Sequence, residues 1–139
     1  MAGFKLKYLF FDSPKVVRSV DKSTRKVLSR FGAFVRRTAK GSIRKRKKAS
    51  APGTPPSSHT GHLKRFIFFG YDPQRRSVVI GPTRLTENNR GDAPSILEYG
   101  GKTTVKDKRV KVSARPFMGP AFEKEKQTLP ALWQDSVRQ

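Results

Sequence analysis

Few residues in this chain have the type and spacing for chemistry. His59 and His62 stand three apart inside ASAPGTPPSSHTGH, residues 49–62. Paired imidazoles at that spacing suit a metal only with further ligands, usually Cys or a carboxylate. The chain has no Cys, and no carboxylate lies near the pair in sequence. No two carboxylates share an apolar setting, and no Ser–His–Asp set comes together by spacing. Walker and dinucleotide glycine loops are absent. The reading is therefore no enzyme, no metal and no cofactor.

The second constellation is cationic. Arg36, Arg37, Lys40, Arg44, Lys45, Arg46, Lys47 and Lys48 crowd into thirteen positions. On a continuous helix they would surround nearly every face. Such a cluster fits phosphate contact without base readout, with steep salt dependence. It fits equally a solvated arm, or one that docks on an acidic neighbouring subunit. No aromatics interleave with it, and no nucleic-acid-binding signature accompanies it.

The third is a corner. In Arg115–Pro116–Phe117–Met118–Gly119–Pro120 two prolines fix φ at two points and hold Phe117 and Met118 between them. Pro116 ends strand pairing, and Pro120 suits the start of a helix. The simplest role is a strand-to-helix corner whose Phe plugs the core.

These groups need a frame. The 139 residues suit one domain, spanning 1–139, with a modest core. Apolar residues make up only 35%, but ten Phe and one Trp bury large areas each. The formal net charge is +21, concentrated in the first fifty residues. A chain with that balance finds polyanions or acidic protein faces. The lack of Cys fits a reducing cytosol. No apolar run reaches membrane-spanning length, and the apolar stretch after Lys7 is short for a secretory leader. No membrane partner is expected.

Residues 4–11, FKLKYLFF, begin with strict alternation, which predicts a strand. Ser13 and Pro14 read as the cap and first turn of a long helix over about 14–48. Val17, Val20, Val27, Phe31, Phe34, Val35 and Ala39 would form its apolar face. Gly32 and Gly41 weaken it, with a bend or early stop near Gly41, and 44–48 reads as a frayed end or projecting arm. The Pro/Ser-rich 49–62 segment is a flexible loop with no core of its own. Strands are expected at 63–71 and 77–83, joined by 72–76, and residues 84–95 are polar and turn-rich. A single helical turn is expected at 96–99, closed by Gly100–Gly101. A second hairpin over 102–117 would turn at Asp107–Lys108. The last segment, 119–138, is amphipathic through Phe122, Leu129, Leu132, Trp133 and Val137, with a break at Pro130.

In order, these pieces carry a resemblance. A long first helix is followed by Thr60–Gly61 with Leu63–Lys64–Arg65, then SVVIGP (77–82). LEYGG (97–101), ARPFMGPAFEK (114–124) and a closing helix complete the series. The chain resembles the neck proteins of long-tailed bacteriophages, also called tail-completion or head–tail joining proteins. Glu98–Tyr99–Gly100 and Ala114 to Ala121 match that family's motifs closely. The 49–60 loop is longer than the family's form.

The resemblance implies an α+β fold, with a twisted, mostly antiparallel sheet packed by the long N-terminal helix and a C-terminal helix. It implies a homo-oligomeric ring, six-fold, at the head–tail junction of the virion, assembled in the host cytoplasm. Adjacent connector, tail-terminator or tail-tube proteins would be its partners. Tyr99, Phe117 and Met118 are placed at or beneath the subunit interface. Pro52, Pro55, Pro56 and His59 are placed in a loop reaching a neighbouring ring. Arg36 to Lys48 would face DNA phosphates or an acidic neighbour. Like-charge repulsion predicts a monomer or weak oligomer until the docking partner is present. A tail terminator with a related fold, or a basic DNA-binding architectural protein, are the rival readings.

Overall fold

The structure is a computed structural model that describes residues 13–83 and 93–137. The strand expected at 4–11 lies outside the described residues, as does most of the polar stretch after Thr83.

One helix organises the rest. α1 (Ser13–Ser42) starts where Pro14 sits in a first turn that needs no N–H. Val27, Phe31, Val35, Ala39 and then Ile43 are all buried, at intervals of four residues. Each such step advances about 40° beyond a full turn. The buried stripe therefore winds around α1 and serves different partners along its length. One side takes the hairpin of β3 (Ile67–Asp72) and β4 (Ser77–Pro82). The other takes α4 (Met118–Lys126) and α5 (Leu129–Val137).

The apolar face predicted for α1 is too long. Val17 and Val20 are about half exposed, as is Val16. Periodicity marks a face able to pack, but the packing partners meet α1 mainly along its second half. There Phe31, Val35, Ala39, Ile43, Ile67, Phe117 and Ala121 form one cluster, with Leu63, Leu97, Leu129 and Leu132 packed against it. Each large side chain in it contributes on the order of 1.5–3 kcal/mol by burial.

The hairpin packs on α1 with one face, although Phe69 on that face is still 37% exposed. Ile67↔Pro82, Phe69↔Ile80 and Tyr71↔Val78 are cross-strand partners, so they share the face toward the helix. Phe68 and Val79 point outward and are exposed. The strands come so close to α1 that a β-carbon on Gly32 would stand 2.8 Å from Val78 Cγ2 and 2.9 Å from Phe69 Cδ2. That approach is the reason a glycine sits mid-helix despite its cost of about 1 kcal/mol. At the turn, Asp72 Oδ1 accepts from the N–H groups of Gln74 and Arg75, and Arg76 adopts φ 48.

The fold is α+β; among the described residues it has five helices, of which the N-terminal one is long. The strands are mostly antiparallel, as expected, though they are not joined into one sheet among the described residues. Among the described residues they make three separate two-stranded ladders. Besides the β3–β4 hairpin these are the parallel pair β1 (Arg44–Lys45) and β2 (Ser57–Ser58), and the antiparallel hairpin β5 (Gly101–Val105) and β6 (Lys108–Val112).

Other boundaries shift for local reasons. Residues 63–66 were read as strand but belong to α2 (His62–Arg65) and its cap, entered from Gly61 at φ 80. The single turn at 96–99 is a seven-residue helix, α3 (Ala93–Tyr99). The second hairpin turns at Lys106–Asp107, one residue early, with φ 50 and 61. That is the primed geometry a two-residue hairpin loop requires. The closing segment breaks after Lys126 and restarts at Leu129, which places Pro130 in a first turn where its missing donor costs nothing.

Candidate functional site

The Arg115–Pro120 corner is held from a distance. Helix starts leave their first N–H groups without intrahelical partners. Here the N-cap is Phe117, whose side chain cannot accept a hydrogen bond. Glu98, at the end of α3, supplies the acceptor. Its Oε2 accepts from the N–H of Phe117 at 2.8 Å and of Met118 at 3.0 Å. Its Oε1 accepts from the N–H of Gly119 at 2.8 Å. The next residue is Pro120, which has no N–H to satisfy. One carboxylate thus completes the first turn of α4, and its charge faces the positive end of that helix.

The backbone reinforces the clasp. Gly100 closes α3 at φ 76, and its N–H donates to Ile96 O at 2.8 Å, the usual left-handed helix ending. A β-carbon there would meet Ala114 N at 3.0 Å and Val112 O at 3.2 Å. Arg115 N donates to Leu97 O at 2.6 Å. The stretches LEYGG and ARPFMGPA, distant in sequence, are therefore one structural unit.

The clasp sets how three predicted residues are presented. Phe117 is 1% exposed and fills the core, Met118 is half-buried, and Tyr99 is 82% exposed. All three line one cleft of about 290 Å³ beside Glu98, with Ile80 and Pro82 opposite. Phe117 is thus a support beneath the surface, and Tyr99 is the side chain presented for contact.

The basic cluster is divided. α1 ends at Ser42, so Arg44 to Lys48 do not continue a helix. Ile43 is buried and anchors the chain there, and Arg44–Lys45 pair with Ser57–Ser58. All five cations from Arg44 to Lys48 are exposed. The other three are partly engaged. Arg36 Nε donates to Ile67 O at 2.7 Å, and its guanidinium lies 5.7 Å from the Phe68 ring centroid. The Arg37 guanidinium lies 5.3 Å from the Phe34 ring centroid. Lys40 is half-buried. Burial pushes its ammonium below the usual lysine pKa, and the charges of Arg36 and Lys64 push it further.

The Pro/Ser-rich segment is fastened to the corner. Gly53 N donates to Ala114 O at 2.8 Å, and Arg115 Nε donates to Ser50 O at 3.0 Å. Pro56 is fully buried and Ser58 nearly so, which corrects the expectation of a segment with no buried anchor. Pro52 and His59 are exposed, and Pro55 is half-buried. Among the described residues, no group of three metal-ligating side chains includes His59 or His62. No described helix is long and apolar enough to cross a membrane.

Glu98 was read as part of a motif and given no role. The available signal was a helix start with Phe where Ser, Thr, Asp or Asn would stand. Such a start requires a distant acceptor.

The fold and site define a small, strongly basic α+β domain built around a remotely capped corner. Neither a family model, nor a curated protein, nor a solved structure matches the chain.

Proposed function

We propose that this protein is a structural component of a long-tailed phage virion, forming a ring at the head–tail junction that joins or completes the tail. One observation carries the reading. The two stretches with the closest motif resemblance, Glu98–Tyr99–Gly100 and Ala114 to Ala121, meet in the Glu98 clasp. Residues held to a common pattern for a shared structural reason are expected to touch.

In this role the domain binds and positions; it catalyses nothing. A closed ring needs a heterologous interface, one patch meeting a different patch on the next subunit. Exposed Tyr99 and half-buried Met118 supply one such patch, stiffened from below by Phe117. Six copies close the ring, and adjacent connector and tail-terminator or tail-tube rings stack on it. A chain of charge +21 repels its own copies, so the ring assembles on its docking partner and the free protein stays a monomer or weak oligomer. A tail terminator would use the same corner and differ only in position along the particle.

The test is to label the protein in intact particles from its native source and image them by electron microscopy. Label confined to the head–tail junction is expected. Label absent from particles, with the protein found only on intracellular DNA, would sink the reading in favour of an architectural DNA-binding role. The exposed Arg44–Lys48 run would suit that alternative.

A further inference from the structure

The β5–β6 hairpin packs on the body chiefly through α3 and is exposed over nearly all its length. Its register sorts the side chains onto two faces. Thr103↔Val110, Val105↔Lys108 and Gly101↔Val112 share one face, whose base at Thr103 and Val112 is half-buried. Lys102↔Lys111 and Thr104↔Arg109 share the other. That second face carries three cations, one hydroxyl and no acid. The hairpin's single carboxylate, Asp107, is in the turn.

This face is built against its own stability. Lys102 and Lys111 are direct cross-strand partners, and like charges in that position are destabilising. A two-stranded ribbon in water is marginal to begin with. An anion lying across the face removes the repulsion. The spacing suits a particular one. Two residues along a strand advance about 6.6 Å, close to the axial rise of about two phosphates along one DNA strand. The face offers no aromatic for stacking, the usual device for single strands. A two-stranded ribbon is also an element that the major groove of duplex DNA admits.

We propose that the Lys102–Arg109–Lys111 face of the β5–β6 hairpin binds the phosphate backbone of double-stranded DNA. The surface is distinct from Arg36–Lys48 and does not depend on ring formation, so it is tested on the isolated full chain.

The experiment measures affinity for a short duplex of mixed sequence by fluorescence anisotropy, from about 50 to about 200 mM salt. The variant is Lys102→Gln/Arg109→Gln/Lys111→Gln. One control removes as many charges elsewhere, at exposed positions of α1: Arg18→Gln/Lys22→Gln/Arg30→Gln. Loss of three phosphate contacts lowers the slope of log K against log salt by about 2–3. The control is expected to lower it by less than about 1. The charge-preserving Lys102→Arg/Lys111→Arg protein is expected to retain the full slope. Circular dichroism checks that each variant keeps the parent's fold. Equal losses in both triple variants would assign binding to overall charge and overturn the proposal. So would equal binding of poly-glutamate that is lost in parallel, because that would make the partner an acidic protein.

Discussion

The Glu98 carboxylate accepts a hydrogen bond from Gly119 N at 2.8 Å, and the same oxygen lies 3.0 Å from where a β-carbon on Gly119 would stand. The contact needs an acceptor of that reach on α3 and the absence of a side chain on α4. It closes the first turn of α4 while the adjacent Phe117 enters the core. A single side chain therefore couples helix capping to the placement of Tyr99 and Met118.

Glu98→Ala strips the acceptor from three N–H groups, of which those of Phe117 and Met118 are shielded from water in part. The expected loss is about 2–3 kcal/mol, since donors left without a charged acceptor lose more than a neutral bond. Glu98→Gln keeps one acceptor oxygen and is expected to lose about half as much. Gly119→Ala pushes on the carboxylate, so it should cost less in the Glu98→Ala background than alone. Urea denaturation of the parent and these four variants measures all three effects. An alanine variant as stable as the parent would remove the clasp from the argument.

Gly32 and Gly41 are both in α1, and helix propensity alone predicts that alanine stabilises at each. The surroundings reverse one sign. At Gly32 the new β-carbon meets Val78 and Phe69 under 3 Å, whereas at Gly41 nothing lies within 4 Å. Gly32→Ala is expected to destabilise by about 1–3 kcal/mol through overpacking, and Gly41→Ala to stabilise by about 0.5–1 kcal/mol. Thermal melts of the two variants give the signs directly. Stabilisation by both would mean that the β3–β4 hairpin does not press on α1 at Gly32.

Arg115 ties the Pro/Ser-rich segment to the corner through Ser50 O. Arg115→Ala removes that bond and leaves Gly53 N–Ala114 O as the nearest remaining tie. The segment should then open locally, with global stability reduced by only about 1 kcal/mol. Limited proteolysis is the readout. Cleavage between Ser50 and His59 should speed up severalfold in the variant, and unchanged cleavage would show that buried Pro56 holds the segment unaided.

The parts legible in sequence were those set by local pattern. The four-residue stripe from Val27 to Ala39 marks a helix face without knowledge of its partners, and Pro130 marks a helix break by its missing donor. What failed depends on where partners end. Val17 and Val20 continue the same periodicity, yet the core begins at Val27. The stop near Gly41 was legible and α1 ends at Ser42, but 44–48 reads as a frayed arm, whereas Ile43 turns into the core and Arg44–Lys45 become an extended pair with Ser57–Ser58. Leu63 to Phe66 looks like strand, but Gly61 at φ 80 redirects it into a helical turn. The clasp was legible as two motifs and not as one contact, because nothing local to Glu98 points to residues 117–119. Only the uncapped start of α4 does.

Lys40 gives the prediction with a pH signature. Burial, then the charges of Arg36 and Lys64, lower its pKa from the ordinary 10.5. The unfolded chain therefore holds that proton to higher pH than the folded one does. Between the lowered value and 10.5 the unfolded state binds more protons, so this residue's contribution to stability rises with pH. Below that window both states are charged and the folded state carries the full penalty. Lys40→Met removes the charge while keeping an apolar stem of similar reach, so it is expected to be more stable than the parent at neutral pH. The advantage should shrink as pH climbs towards the ordinary lysine value. Other lysines and tyrosines titrate in the same range, so the informative quantity is the difference between the urea midpoints of the two proteins at each pH. A difference that stays constant with pH, or a methionine variant less stable at neutrality, would mean that the Lys40 charge is not under strain.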